Sequence, residues 1–304
     1  MSAASLHALL TRSIDYAGMF PPCSLALKPA LENQAQSVRA SDSWMLSAFV
    51  LPISKFDAAS ASVSQFDRQY QLRISALGAK TENVNDFRSA LKITMETIRS
   101  FATRHGDLVS ISQLEMPLPT EINADLLAEA QSIIGGLDAF WETPADEAAQ
   151  TIASLAEHHA NTLARTFGYK LRTGGVTVDA FPHSQQIARA LVESAKHEVP
   201  IKFTAGLHHP VRQFRDEVKA KMHGFLNVLG AGVLAAEHQW DERRTAAMLD
   251  DEDASSFSFD DKSFAWREWK IDQGRIEERR KLVTSFGSCS FDEPREDLRA
   301  LKLF

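Results

Sequence analysis

Short apolar runs alternate with longer amphipathic stretches along most of this chain, and few architectures accommodate that pattern. Strands are expected at residues 13–19, 44–51, 71–77, 107–115, 137–143, 167–172, 201–204 and 225–229. Between them, helices are expected at 26–40, 55–68, 120–134, 145–165, 184–197, 212–222 and 231–240, with one from a Thr81 cap to about His105. Strict β/α alternation implies a parallel sheet, and eight units of roughly thirty residues match a (β/α)8 barrel. An open doubly wound sheet is the runner-up. Against it, no G-x-G-x-x-G follows the first strand and no Walker loop appears.

The most apolar run, 224–236, is interrupted by Asn227, Gly230 and Gly232, which suits a buried eighth strand, a turn and a helix. Beyond residue 240 the character changes: an acidic, Ser-rich stretch is followed by an aromatic segment containing Phe264, Trp266 and Trp269. The expected organisation is therefore a barrel over 1–240 and a C-terminal α/β extension over 241–304 packed on it.

Composition narrows the function. The chain has 304 residues, is 44% hydrophobic and 24% charged, and carries a net charge of −7. No Lys/Arg cluster is interleaved with aromatics, so nucleic acid is not an expected partner. No run of about eighteen apolar residues is present, so no membrane span is expected. The N-terminus lacks a secretory pattern, and Cys23 and Cys289 stand in no metal or redox spacing; a cytoplasmic location is the default expectation. Oligomeric state is not legible, and a homo-oligomer is compatible with every reading.

Chemistry concentrates in two strands. In Tyr169-Lys170-Leu171-Arg172-Thr173-Gly174-Gly175, alternation puts Lys170 and Arg172 on one face. In Ile201-Lys202-Phe203-Thr204-Ala205-Gly206 it does the same for Lys202 and Thr204. Lysines are seldom buried without a partner or a task. Catalytic groups of such barrels sit at the C-terminal ends of strands, where the chain also offers Asp15, Glu115, Glu142, His208, His209 and Asn227. An amine attacks a carbonyl only when neutral, and its usual pKa of about 10.4 keeps it protonated. Burial and a neighbouring cation favour the neutral form, so one lysine of the pair is expected to form a Schiff base. Glu142, Glu115 or Asp15 would move protons. Arg172, Thr173, Thr204, His208, His209 and Asn227 are the candidate substrate-binding residues, and a guanidinium favours an anionic substrate. No cofactor is required. A barrel-filling ion pair, Lys170–Glu142 or Lys202–Glu115, is the bland alternative.

The segments Ile14-Asp15-Tyr16, Phe49-Val50-Leu51-Pro52, Glu142-Thr143, Lys170-Leu171-Arg172-Thr173-Gly174 and Lys202-Phe203-Thr204-Ala205-Gly206 occur in that order. The series resembles the class I aldolases of the deoxyribose-phosphate aldolase type, as spaced motifs over residues 13–232. The resemblance implies a (β/α)8 barrel, a carbon–carbon lyase, Lys170 as the Schiff-base lysine and Lys202 as the group lowering its pKa. The chain departs from the pattern at four places, the first being Gly206-Leu207-His208-His209 after the second lysine, where the family has Gly-Gly-Val-Arg. The acidic relay position on strand 4 falls at Ser110, leaving Glu115 as substitute. The phosphate-loop position reads Leu229-Gly230-Ala231-Gly232, without hydroxyls. Arg172 stands where the family has a small residue. The strings around Lys170, His208-His209-Pro210 and Gly287–Phe291 are also similar to a bacterial family to which no function attaches.

Two other classes compete. A metal-dependent isomerase or lyase would use Glu115, Glu142 and His208 as ligands. A non-catalytic barrel would bind a small molecule. His158 and His159 read as surface residues of a helix, His223 as structural, and Cys289 as a buried structural thiol.

Overall fold

The computed structural model describes residues 2–164 and 166–304. Eight parallel strands close a barrel. Seven are β1 (Ile14–Tyr16), β2 (Leu46–Pro52), β3 (Leu72–Leu77), β4 (Val109–Pro117), β5 (Ala139–Glu142), β6 (Phe167–Arg172) and β7 (Ile201–Thr204). Two short antiparallel strands, β8 (Gln213–Arg215) and β9 (Ala220–Met222), form a hairpin where residues 212–222 were expected to be helical. Three more, β10 (Phe257–Phe259), β11 (Ser263–Trp266) and β12 (Trp269–Asp272), form an antiparallel sheet that extends the barrel. The last, β13 (Val283–Ser288), is the eighth barrel strand, lying between β7 and β1.

The helices are α1 (Ala4–Leu10), α2 (Leu27–Ser37), α3 (Phe56–Ala59), α4 (Val84–His105), α5 (Ala124–Ile134), α6 (Ala148–Ala160), α7 (Ser184–His197), α8 (Phe225–His238), α9 (Glu242–Leu249), α10 (Gln273–Arg279) and α11 (Asp292–Ala300). Side-chain caps set several starts. Asn83, not Thr81, caps α4 by accepting from the Asp86 N–H, and Asn123 caps α5 through the Leu126 N–H. Gly135, at φ 71°, ends α5. The expected end of the α6 helix at Arg165 lies outside the described residues.

The eighth strand is the main correction. Residues 225–229 open α8, whose residues are buried on every side from Phe225 to Ala235. Such a helix has no polar stripe, so a short apolar run within it cannot be told from a strand by periodicity. A Cβ on Gly230 would lie 2.6 Å from Met248 and one on Gly232 would lie 2.7 Å from Val283; the glycines admit close packing and do not mark a turn. The chain leaves the barrel after α8, builds α9 and the three-stranded sheet, and returns to close the barrel with β13. The expected division at residue 240 is therefore redrawn: the tail holds both the extension and one barrel strand. Trp240, which follows α8, packs on the extension, edge-on against Trp266 and Trp269 at centroid distances of 5.7 and 5.3 Å.

A chain ending at Trp240 lacks β13 and leaves the edges of β1 and β7 unpaired. It is expected to lose the cooperative thermal transition of the full chain, as followed by circular dichroism. A truncated chain that melts like the full one would restore the boundary at 240.

Candidate active site

The strand register builds the site. In β6, Tyr169 and Leu171 are buried against the helices, and Lys170 points into the barrel. Glu142 of β5, Lys170 of β6 and Lys202 of β7 are successive register partners. Side chains at matched positions share a face, so acid, base and base stand side by side. Glu115 enters from β4, in register with Leu77, and Asp15 from β1, in register with Gly287.

These five groups form one chain of contacts. Lys170 Nζ lies 2.9 Å from Glu142 Oε2 and 2.8 Å from Glu115 Oε2. The other Glu115 oxygen bonds Lys202 Nζ, which lies 2.7 Å from Asp15 Oδ2. The order is Glu142–Lys170–Glu115–Lys202–Asp15. Lys170, Glu115, Lys202 and Asp15 are each at most 4% exposed, so the chain fills the interior where such barrels ordinarily hold branched apolar side chains. Neutral donors complete it. Ser75 Oγ donates to Glu115 Oε1 (2.5 Å), Ser285 Oγ to Asp15 Oδ2 (2.6 Å), and Gln113 Nε2 to Ser75 Oγ (3.0 Å). Lys202 Nζ also lies 5.5 Å from the centre of the Phe140 ring.

Protonation follows from this geometry. Burial opposes ionisation of Glu115, but the two ammoniums outweigh it and hold the carboxyl well below the usual carboxylate range. Burial likewise opposes charge on Lys170, but Glu115 and Glu142 outweigh it and raise its pKa above the ordinary value. This corrects the expectation that Lys202 lowers the pKa of Lys170. The Glu115 carboxylate stands between the two lysines, so each sees an anion before it sees the other cation.

A cavity of about 730 Å³ opens above the chain, at the C-terminal ends of the strands. Glu115, Glu142, Lys170, Arg172, Thr204, His208 and His209 line it. Arg172, 55% exposed at the end of β6, keeps Nη1 3.8 Å from Glu142 Oε1. A groove of about 760 Å³ adjoins the cavity, sharing Lys80, Pro117, Glu142 and Arg172 with it. His208 and His209 follow β7 and both reach α11. His208 Nδ1 lies 3.3 Å from Glu293 Oε2, and His209 Nδ1 2.6 Å from Asp297 Oδ2.

Two expected substrate ligands serve the backbone instead. Thr173 donates to the Ala205 carbonyl oxygen at 2.6 Å and is fully buried, tying the end of β6 to the loop after β7. Asn227 lies in α8, not on a strand. Its Nδ2 donates to the Met248 and Asp251 carbonyls, and its Oδ1 accepts from the Arg212 N–H. Neither side chain borders the cavity. His158 and His159 are buried, contrary to expectation, with His158 stacked on Phe167 at 4.9 Å. His223 is structural: its Nε2 lies 2.8 Å from the Pro182 carbonyl oxygen, and burial pushes its pKa down to about 4.

The proposed metal ligands are otherwise engaged. Glu115 and Glu142 face the Lys170 ammonium, and His208 faces Glu293. Among the described residues no three His, Cys, Asp or Glu side chains form a metal-binding group. Sequence reasoning did not identify Ser75, Gln113, Ser285, Glu293 or Asp297. Gln113 carried a usable signal, since it precedes Glu115 by two residues on the same strand face.

The chain of charges sets a pH dependence. Glu115 has a lowered pKa in the fold. Its stabilisation is complete above its unfolded value, about 4.3, and is lost as pH falls through the lower folded value. Lys170 is the converse: its contribution is complete below about 10.4 and is lost as pH rises through the raised folded value. Glu115→Gln is expected to remove the acid-side loss attributable to this carboxyl, measured by urea unfolding as a function of pH. Lys202→Met strips Asp15 of its cation and is expected to cost about 3–5 kcal/mol; a change below about 1 kcal/mol would show the buried pairs are not coupled to folding.

Among the described residues no helix is long and apolar enough to cross a membrane. No family model matches the chain, and no curated protein matches it. Among solved structures it is similar to CbXyn10B in native form, with 10% identity and a TM-score of 0.42 over 94% of this chain and 87% of that one. It is likewise similar to Haloferax volcanii malate synthase in its lead(II) complex, with 10% identity and a TM-score of 0.44 over 97% and 80%. The chain's own closed eight-stranded parallel sheet makes it a (β/α)8 barrel.

Proposed function

We propose that the protein is a Schiff-base lyase of the aldolase kind, acting on a small anionic carbonyl compound, with Lys170 as the amine. The observation that carries this reading is the position of Lys170. It stands at the floor of the cavity between two carboxylates, one buried and one partly open to the cavity.

The chemistry begins with an ammonium. Glu142, hydrogen-bonded to Lys170 at 2.9 Å, takes its proton as a carbonyl compound approaches. The amine attacks the carbonyl carbon, and the proton that the nitrogen then sheds passes to the oxygen to give a neutral carbinolamine. Protonated Glu142 then delivers a proton to the departing hydroxyl, which leaves as water. The iminium formed carries a positive charge where the ammonium had been. Glu115, fixed by Ser75 and Lys202, therefore faces a cation before and after the reaction, and stabilises the iminium without reorganising. The charges that raise the Lys170 pKa thus also favour the intermediate. The iminium then draws in the electron pair of the bond between its α and β carbons as that bond breaks. The β-hydroxyl gives its proton to the Glu142 carboxylate and its carbon departs as a carbonyl compound. The enamine left on Lys170 takes that proton at its α carbon before water hydrolyses the iminium, freeing the second product and the amine. Arg172, at the cavity rim, is the group for a substrate carboxylate or phosphate. The motif resemblance to the deoxyribose-phosphate aldolase type supports Lys170 in this role, and Arg172 favours another substrate than the one that name implies.

A second reading is favoured by one observation. A lysine held as an ammonium by two carboxylates also suits a non-catalytic barrel that binds an anionic small molecule, with the ion chain as its core.

Reductive trapping separates the two. Incubation with 2-oxo acids and small aldehydes, then cyanoborohydride, is expected to leave a stable adduct on Lys170 and none on Lys202. Glu142→Gln is expected to slow adduct formation by about 10²–10⁴-fold. Absence of any lysine adduct across the panel, with ligand binding retained, would favour the binding barrel.

A further inference from the structure

The chain has two cysteines, 266 residues apart in sequence. The fold brings their sulfurs to 2.7 Å. Cys23 is exposed, on the loop after β1; Cys289 is buried, one residue past the end of β13. Those two barrel strands are neighbours, with Tyr16 in register with Ser288 and the Ala17 N–H bonded to the Ser288 carbonyl at 2.7 Å. The loop is closed on itself as well, by a Leu25 N–H to Gly18 carbonyl bond of 2.9 Å. The approach of the sulfurs is therefore set by sheet pairing and a short closed loop.

The location bears on the cavity. Phe20, Pro21 and Pro22 of the same loop line it, and so does Cys289. On the outer side both cysteines border a shallow surface depression, which gives a small oxidant access to Cys23. We propose that Cys23 and Cys289 are a reversible dithiol–disulfide site in the cavity wall, oxidised by hydrogen peroxide, and that the disulfide fixes the Phe20–Pro22 loop against the end of the eighth barrel strand.

The exposed thiol reacts first. The Cys23 sulfur attacks one peroxide oxygen, and the O–O bond breaks. Cys23 becomes a sulfenic acid and its proton leaves with the other oxygen as water. The Cys289 sulfur then attacks the Cys23 sulfur. The S–S bond forms, the S–O bond breaks, and the sulfenic hydroxyl leaves with the Cys289 proton as a second water. Two thiols are oxidised by two electrons and one peroxide is reduced to two waters; a small dithiol reverses the change. Cys289 suits the resolving role and not the first one. Burial foremost, with Cys23 alongside, pushes its thiol up to about 12, so it is the poorer first nucleophile, and its proton is shed only with the sulfenic hydroxyl as the S–S bond forms.

The site is independent of the chemistry proposed for Lys170, and its test does not use activity. The full chain is treated with a few equivalents of hydrogen peroxide, alkylated, and mapped without reduction. A peptide joining Cys23 to Cys289 is expected as the main product. It should disappear with dithiothreitol and be absent from Cys23→Ser, whose exposed position leaves the fold undisturbed. Hydrogen exchange over residues 17–25 is expected to slow several-fold in the oxidised protein. Two results would overturn the proposal. One is a Cys23 sulfinic or sulfonic acid, or a Cys23–Cys23 dimer, with Cys289 still alkylated. The other is a joined peptide with exchange over 17–25 unchanged, which would show that the bond does not fix the loop.

Discussion

Glu115 touches both lysines of the barrel interior, and the rest of the site is arranged around that double contact. One of its oxygens meets Lys170 and the other Lys202. Without it, two ammoniums on neighbouring strands would face each other in a space that excludes water, and each would be driven toward its neutral form. With it, the pair becomes an alternating series ending in Asp15 on one side and Glu142 on the other. Removing one member of such a series leaves an uncompensated buried charge, a large cost relative to the marginal stability of a folded chain. The same contact divides the lysines by task. Lys202 is 1% exposed and sealed between two carboxylates beneath the cavity, whereas Lys170 shares its outer carboxylate with the cavity itself.

The barrel supplies what this series needs. Parallel strands in register put Glu142, Lys170 and Lys202 at one level, and closure of the sheet brings Asp15 of the first strand across to meet them. Closure comes from the far end of the chain, through β13, which also carries Ser285 to Asp15. The C-terminal segment is thus part of the site's floor. Its last helix adds Glu293, which itself lines the cavity, and Asp297 as partners of the two histidines of the cavity wall.

Most of this fold was legible in the sequence because seven of the strands are bounded by glycine, proline or polar turns and alternate with amphipathic helices. The eighth was not. Residues 225–229 are a short apolar run, whereas 283–288, Val-Thr-Ser-Phe-Gly-Ser, are half hydroxyl residues, and their neighbours in space, not their own pattern, decide that the first is helical and the second a strand. In the site, Lys170, Lys202, Asp15, Glu115 and Glu142 could be picked out because charged groups on buried strands are rare. Their charge states could not. A sequence shows that two lysines are near each other, but whether a carboxylate lies between them depends on the register of β4. Asn227 and Thr173 illustrate the converse. Both are polar residues near strand ends in the linear pattern, and both are consumed by backbone groups that only the folded chain presents. The meeting of Cys23 and Cys289 had no sequence signal, since it depends on the first and last barrel strands being neighbours.

The protonation of Lys170 tests the charge assignment most directly. With lysine side chains isotopically labelled, NMR can follow each amine through a pH titration, and the signal lost in Lys170→Arg identifies this one. With Glu115 and Glu142 ionised beside it, Lys170 should remain an ammonium beyond the pH at which a free lysine loses its proton, about 10.4, and Glu115→Gln should move the transition downward. A Lys170 amine that is already neutral near pH 7 would contradict the alternating chain and restore a lysine activated by the cation next to it.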